Sequence, residues 1–483
     1  MMQPWLREDE LDECEVGSYR DLAESTRHRR SKRFIQEVDD MPDRLMEELL
    51  DWLRIPSIST GGGDVRELVR AAEWVCERIE DAGGEAELAE RAGGNPSVIG
   101  ELRASTGNAP TVLIYGHYDV QGVDPISAWN YPPFEPTIED GRIYARGASD
   151  DKGNYLPLLH VACELARRNE LPVNIRVVVE GEEEAGGETV KGWAERDPRG
   201  ADCAIVFDSD MVNDRMAAVT VSLRGAISLA LDVRTADKDL HSGTYGGSVL
   251  NATHVLHHML AAILPGANGK LRSELRAGIA APSRTELEEW SKLPAGDDVI
   301  AESGGKPLDD RSGPDYYSHN GADAALDVNG IAGGDPVNAR TIVPATAHAK
   351  LSMRLAPGQS AGAMQQALEE LLCAAAPAGA EVTIRFAHAG EPALFDPESE
   401  ALRLGRRALE QSTGMSVAIK RAGGSIPILA TFADRGIQTI VSGFALADDA
   451  VHAPNESYRV ESLRLGEKAA YELYAALARL GKD

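Results

Sequence analysis

The chain reads as an α/β protein, a core of alternating strands and helices interrupted by a smaller α+β insertion. Short apolar runs, TVLIY (111–115), VNIRVVVE (173–180) and CAIVF (203–207), alternate with segments of helical period, which implies a parallel sheet. Near Leu223 the pattern changes to strict alternation, as in ISLALDV (227–233), and the earlier pattern returns after residue 401. A chain of 483 residues is also too long for one compact core. We therefore expect a core from 41–222 plus 402–483, an inserted domain at 223–401, and an N-terminal extension at 1–40.

The extension is charge-rich, with Arg27, Arg29, Arg30, Lys32 and Arg33, and reads as a helical arm or a partly ordered extension. The first clear helix follows Asp64, which has capping-box spacing to Glu67. Val65, Leu68, Val69, Ala72, Val75 and Ile79 then recur at helical spacing until Gly83-Gly84. TVLIY ends in Gly-His. A turn-rich stretch with Pro125, Pro132, Pro133 and Pro136 leads to Arg146–Gly153, and a helix should follow through Leu156, Leu159, Cys163 and Leu165. In the insertion, ISLALDV precedes a helix from about Val249 to Leu264. Residues 265–335, rich in Gly, Pro and Asp, read as a long irregular excursion. Ala347–Leu355 and Val382–Ala387 alternate as strands on either side of a helix, Ala361–Ala374. The C-terminal part reads helix, strand, helix, with Thr439–Ser442 as its strand.

Composition narrows the partners. Lys plus Arg number 49 and Asp plus Glu 77, a net charge of −28, which should repel nucleic acid and anionic membranes. No apolar run approaches the ~20 residues of a membrane span. The acidic start, MMQPWLREDELDECE, lacks the basic-then-apolar order of a secretory signal, which favours the cytoplasm. Five dispersed cysteines without a CxxC pair argue for reduced, mostly buried thiols.

Candidate metal ligands follow the core strands. His117 lies just past TVLIY. Its neighbour on the same side of an extended chain, Asp119, can accept the other ring N–H and fix the tautomer. Asp150 sits between a Gly-rich turn and a helix; a carboxylate there can bridge two cations or simply cap the helix. Glu182-Glu183-Glu184 follows VNIRVVVE, where one glutamate can hold metal while its neighbour takes a proton from the attacking water. Asp208 follows CAIVF, with Asp210 as a competitor, and His452 lies in a loop after Thr439–Ser442. Oxygen and imidazole ligands at strand ends suit a pair of divalent cations, and such a pair can clamp both the attacking and the leaving atoms of a hydrolysis. A dinuclear metallohydrolase acting on a peptide or amide bond is the expectation. His241 could polarise a carbonyl, Arg354 could pair with a carboxylate, and Gly423-Gly424-Ser425 could offer backbone N–H groups.

Together YGHYDVQ, GRIYARGASDDKGN, EGEEEAGG, KDLHSGTYGGS, RAGGSIPI and DDAVHAPNES resemble the carnosinase and cytosolic nonspecific dipeptidase group. That group belongs to the dinuclear metallopeptidase family of aminoacylase, glutamate carboxypeptidase and succinyl-diaminopimelate desuccinylase. The resemblance covers about 41 to 480. It implies a metallopeptidase core, a mixed sheet flanked by helices, with an inserted lid and dimerisation domain. It implies two divalent metals per subunit, zinc by default with manganese or cobalt also suited, held by His117, Glu184, Asp208 and His452 with Asp150 bridging. It makes Glu183 the general base and has Asp119 orient His117. His241 would reach the partner subunit's site in a homodimer and steady the oxyanion. Thr341, Arg354, Gly424 and Ser425 would contact substrate, Arg354 taking its terminal carboxylate. Ala422 stands where the dipeptidase branch often carries Glu, removing a contact to the substrate amino group. The substrate would be a dipeptide or, as the alternative, an N-acyl amino acid. Rival readings are a carboxypeptidase acting on longer chains and a metal-binding protein without activity.

Overall fold

The computed structural model describes residues 44–90, 93–266, 269–335, 337–338 and 340–481. The arm expected at 1–40 lies outside them. The chain forms two compact units, Met1–Asp51 and Trp52–Asp483. In the first, the described residues open the helix Arg44–Leu53, which precedes the first helix expected from sequence. All that follows concerns the second.

Four strands run parallel side by side: Asn174–Glu180, Thr111–His117, Cys203–Phe207 and Thr439–Ser442. They are buried almost throughout, as strands covered on both faces must be, which is why their sequences are continuous apolar runs. Antiparallel strands extend this nucleus into a nine-stranded sheet, so the sheet is mixed rather than purely parallel. On one side lie Ser97–Leu102 and then Glu85–Ala89. On the other lie Met216–Leu223 and Ala393–Leu394, with Ser416–Ala422 pairing in parallel against Met216–Leu223. Gly116, near the end of its strand, has no room for a side chain. A Cβ there would run into the Tyr155 ring and come within 2.7 Å of Asp151 Oδ2. The helix Val65–Asp81 begins as expected, but without the reciprocal capping box: Asp64 accepts from the Arg66 N–H, while Glu67 pairs with Arg70.

A second sheet, ordered Ala325–Gly333, Thr346–Leu355, Gly225–Arg234 and Glu381–Gly390, is antiparallel throughout. Ile227, Leu229, Leu231 and Val233 point to one face and pack with Val255, Leu256, Met259, Ile263, Leu368 and Leu372 in one buried cluster. Each such side chain contributes about 1.5–3 kcal/mol of burial. Alternate residues therefore occupy the opposite, open face.

The excursion at 265–335 is not irregular. It holds the short helices Arg284–Trp290, Gly296–Glu302 and Tyr316–Gly321 and the edge strand Ala325–Gly333. That strand escaped sequence reading because most of its residues are exposed and two are glycines. Glu286 fastens the excursion to the core sheet through Arg421, whose Nε lies 2.7 Å away with both side chains buried. Glu286→Ala would strand the Arg421 charge. A loss of about 3–5 kcal/mol is expected, read as a lower urea midpoint. An unchanged midpoint would contradict that role.

Among the described residues no helix is long and apolar enough to cross a membrane. Among the described residues Cys76, Cys163, Cys203 and Cys373 form no disulfide; Cys163 and Cys203 are buried, Cys76 is half-buried and Cys373 is exposed.

Candidate active site

His117 ends a parallel strand, Glu184 and Asp208 follow the C-terminal ends of two others, His452 lies in the loop beyond Thr439–Ser442, and Asp150 precedes the helix Lys152–Arg167. Such strand ends are where open α/β sheets bind ligands. His117 is wholly buried. Its Nδ1 lies 3.0 Å from the main-chain oxygen of Asp119. A carbonyl can only accept, so Nδ1 carries a proton, and Nε2 is the nitrogen left to face a cation. That Nε2 faces Asp150 Oδ1 at 2.9 Å and Asp208 Oδ1 at 4.0 Å. The other Asp150 oxygen lies 2.9 Å from His452 Nε2, which is also 3.2 Å from Glu184 Oε1. One carboxylate thus touches both histidines, and the two halves of the cluster meet at Asp150. It does not cap the helix: Asp151 is the N-cap residue and makes no side-chain capping bond.

Two ligand triads lie within 4.8 Å, His117 with Asp151 and Asp208, and Asp150 with Glu184 and His452. Asp151 is the weaker member of the first. It is wholly buried and spends Oδ2 on the His117 peptide N–H, leaving Oδ1 without a partner. Asp150, with one oxygen toward each histidine, is the better bridge. Asp210 pairs with Lys420, which frees Asp208 from its competitor.

The three glutamates differ in what they touch. Glu182 accepts the N–H groups of Asn95 at 2.7 Å and Thr189 at 2.9 Å, and so pins the turn. Glu184 reaches His452 and accepts from Gln121 Nε2 at 2.7 Å. Among the described residues the Glu183 carboxylate has no hydrogen-bond or ion-pair partner. Burial pushes it up to about 8 against the pull of His117, with Asp150, Glu180 and Glu184 adding to the rise. Asp208 is pushed up in the same way. His452 moves to about 10 because Asp150 and Glu184 both hold its proton. Four carboxylates crowded around two imidazoles are short of positive charge, and a pair of divalent cations would supply it. The donor set fits that group.

Asp119 meets His117 Nδ1, but chiefly through its main chain. Its main-chain oxygen takes the ring N–H of His117, and its Oδ1 stands off at 3.5 Å. The carboxylate accepts instead from Ser59 Oγ at 2.6 Å and from the N–H groups of Glu183 and Glu184 at 3.2 and 3.1 Å. It therefore joins the histidine strand to the glutamate turn. Two further residues escaped sequence reading. Gln121 orients Glu184, and the buried Glu456 collects the N–H groups of Gly147, Ser149 and Asp150 with the Arg146 guanidinium.

His241 and Thr341 lie together, the Ser242 N–H donating to Thr341 O at 3.0 Å beside the pair His241–Ile342. His241 is exposed, and its Nδ1 accepts from the Gly243 N–H, so the neutral ring offers Nε2–H outward. Arg354 lies on the open face of the second sheet, and Gly424 and Ser425 lie on the turn after Ser416–Ala422. None of these five residues takes part in the histidine and carboxylate cluster.

Fold and site together define an α/β metallohydrolase. The chain belongs to peptidase family M20/M25/M40, whose model matches residues 113–476. It is 28% identical over 396 residues to the cysteinylglycine-S-conjugate dipeptidase of Corynebacterium striatum, covering 80% of this chain and 85% of that one. It is 26% identical over 459 residues to the Cys-Gly metallodipeptidase dug1 of Schizosaccharomyces pombe, covering 89% and 95%. Among solved structures, the M20 family metallo-carboxypeptidase Sso-CP2 from Sulfolobus solfataricus superposes with a TM-score of 0.81 at 27% identity, over 91% of this chain and all of that one. The chain is thus a metallopeptidase-class hydrolase.

Proposed function

We propose that the protein hydrolyses the peptide bond of dipeptides or short peptides in the cytoplasm. The observation that carries this is Asp150 touching both histidines beside an unpartnered Glu183. His117, Asp150 and Asp208 would hold one cation, and Asp150, Glu184 and His452 the other. Zinc is our first choice, manganese or cobalt the second. When bound, the pair would polarise the scissile carbonyl and make water acidic enough to lose a proton near neutral pH. Glu183 accepts that proton and returns it to the leaving nitrogen. Asp119 keeps the glutamate turn against the histidine strand throughout.

We further propose a homodimer formed through the inserted domain at 223–401, in which His241 and Thr341 complete the partner's site. The outward Nε2–H of His241 suits an oxyanion. The catalytic part would comprise 41–222 and 402–483. Arg354 would receive the substrate's terminal carboxylate, and Gly424 and Ser425 would line its path. The likeness to dipeptidases by name and to a carboxypeptidase fits a requirement for a free C-terminal carboxylate. An N-acyl amino acid deacylase is the second reading, because Ala422 supplies no carboxylate for a substrate amine.

The test compares a free dipeptide with its N-acetylated form, on metal-stripped protein restored with Zn²⁺ or Mn²⁺. Turnover of the free dipeptide only after restoration is the expected result. Preference for the acetylated form would move the protein to the deacylases with the same cluster.

A further inference from the structure

Four arginines of the described residues are buried: Arg146, Arg176, Arg224 and Arg421. Three have a carboxylate at 2.7 Å, from Glu456, Asp197 and Glu286 respectively. The fourth has none. Arg224 is 7% exposed, and its side chain donates only to two main-chain oxygens, Gly423 O and His319 O, both at 3.3 Å. In a chain with 28 more acids than bases this is an anomaly, because an uncompensated buried charge costs several kcal/mol.

A second unpaired guanidinium lies beside it. Arg354 is in register with Ala226, two residues after Arg224, which lies just before the strand Gly225–Arg234 begins. Arg354 is near enough for its charge to act on Arg224. Among the described residues neither arginine has a carboxylate within 4.0 Å. Two carboxylates act on Arg224 from farther off, Asp327 and Asp323, and Asp323 is taken at both oxygens by Arg276, at 2.6 Å. Burial first, and Arg354 second, pull Arg224 down to about 10. Arg224 also lies against the Gly423-Gly424-Ser425 turn so closely that a Cβ on Gly423 would meet its Nη2 at 3.0 Å.

We propose that Arg224 and Arg354 form a two-guanidinium pocket that selects a substrate whose leaving residue carries two carboxylates, a C-terminal Glu or Asp. One α-carboxylate neutralises one guanidinium; an acidic side chain neutralises the other. This rests on the peptidase reading of the same site and names its substrate class.

The experiment measures kcat/KM of the metal-loaded full chain on Ala-Glu and Ala-Gln, which differ in one charge and little in shape. Ala-Glu should be preferred by about tenfold or more, the size of one charge-assisted contact. Raising salt should shrink the preference. Arg224→Gln should lower kcat/KM on Ala-Glu about tenfold more than on Ala-Gln, and Arg224→Lys should keep part of the preference. Equal losses on both substrates, or no wild-type preference, would overturn the proposal. If Arg224→Gln does not fold, the wild-type preference and its salt dependence still decide. Calorimetry with free L-glutamate against L-glutamine reads the pocket without turnover. Glutamate preference in a protein that cleaves neither dipeptide would sink the peptidase reading and keep this one; equal binding would sink this one.

Discussion

Glu183→Gln is expected to leave metal content unchanged and to lower kcat by about 10²–10⁴-fold, the usual worth of a positioned general base. The amide matches the carboxylate in shape but accepts no proton at neutral pH. The main-chain N–H of residue 183 would still donate to Asp119, so the turn should hold. The neighbouring glutamates provide the contrast. Glu184→Gln removes a group that faces His452 and should lower metal content. Glu182→Gln disturbs the acceptor for the Asn95 and Thr189 N–H groups and should lower stability first. Metal analysis and steady-state kinetics on the three variants separate the roles. Retained turnover in Glu183→Gln would refute its role as base.

How much of this was legible in the sequence depends on whether the cause is local. The parallel strands could be read because burial on both faces makes each a continuous apolar run, as in Cys203–Phe207. His117, Glu184 and Asp208 could be read because they lie at or just past those runs, whereas Asp150 stands before a helix and His452 in a loop. Glu85–Ala89 and Ala325–Gly333 could not, since an edge strand facing water keeps few apolar residues. The three adjacent glutamates could not be told apart by spacing. They separate only through donors distant in the chain: Asn95 for one, Gln121 and His452 for another. Asp119 was placed beside His117 correctly, but extended-chain geometry ends where the strand ends, and its carboxylate turned to the glutamate N–H groups. Arg224 gave no local signal at all, because what sets it apart is the lack of a partner that the other buried arginines have.

Glu456→Gln is expected to cost both stability and metal. Its Oε2 accepts from Arg146 Nη1 at 2.7 Å and from the Gly147 N–H at 2.9 Å; its Oε1 accepts from the N–H groups of Ser149 and Asp150 at 2.9 and 3.0 Å. An amide must turn its NH₂ toward two of these four donors, whichever way it flips. It also leaves the buried Arg146 without its counter-charge. About 3–5 kcal/mol of stability should be lost, seen as a lower urea midpoint. The consequence for the centre is separate. One of the four donors is the peptide N–H of Asp150, so the same carboxylate fixes the main chain of the residue that touches both histidines. Metal affinity should fall about 10–100-fold, as when a supporting partner of a ligand is removed. Glu286→Ala is the control, since it breaks a buried pair of similar cost but touches none of the residues around His117 and His452. If both variants lose stability and only Glu456→Gln loses metal, the glutamate positions the bridge. Equal metal retention would reduce it to a structural ion pair.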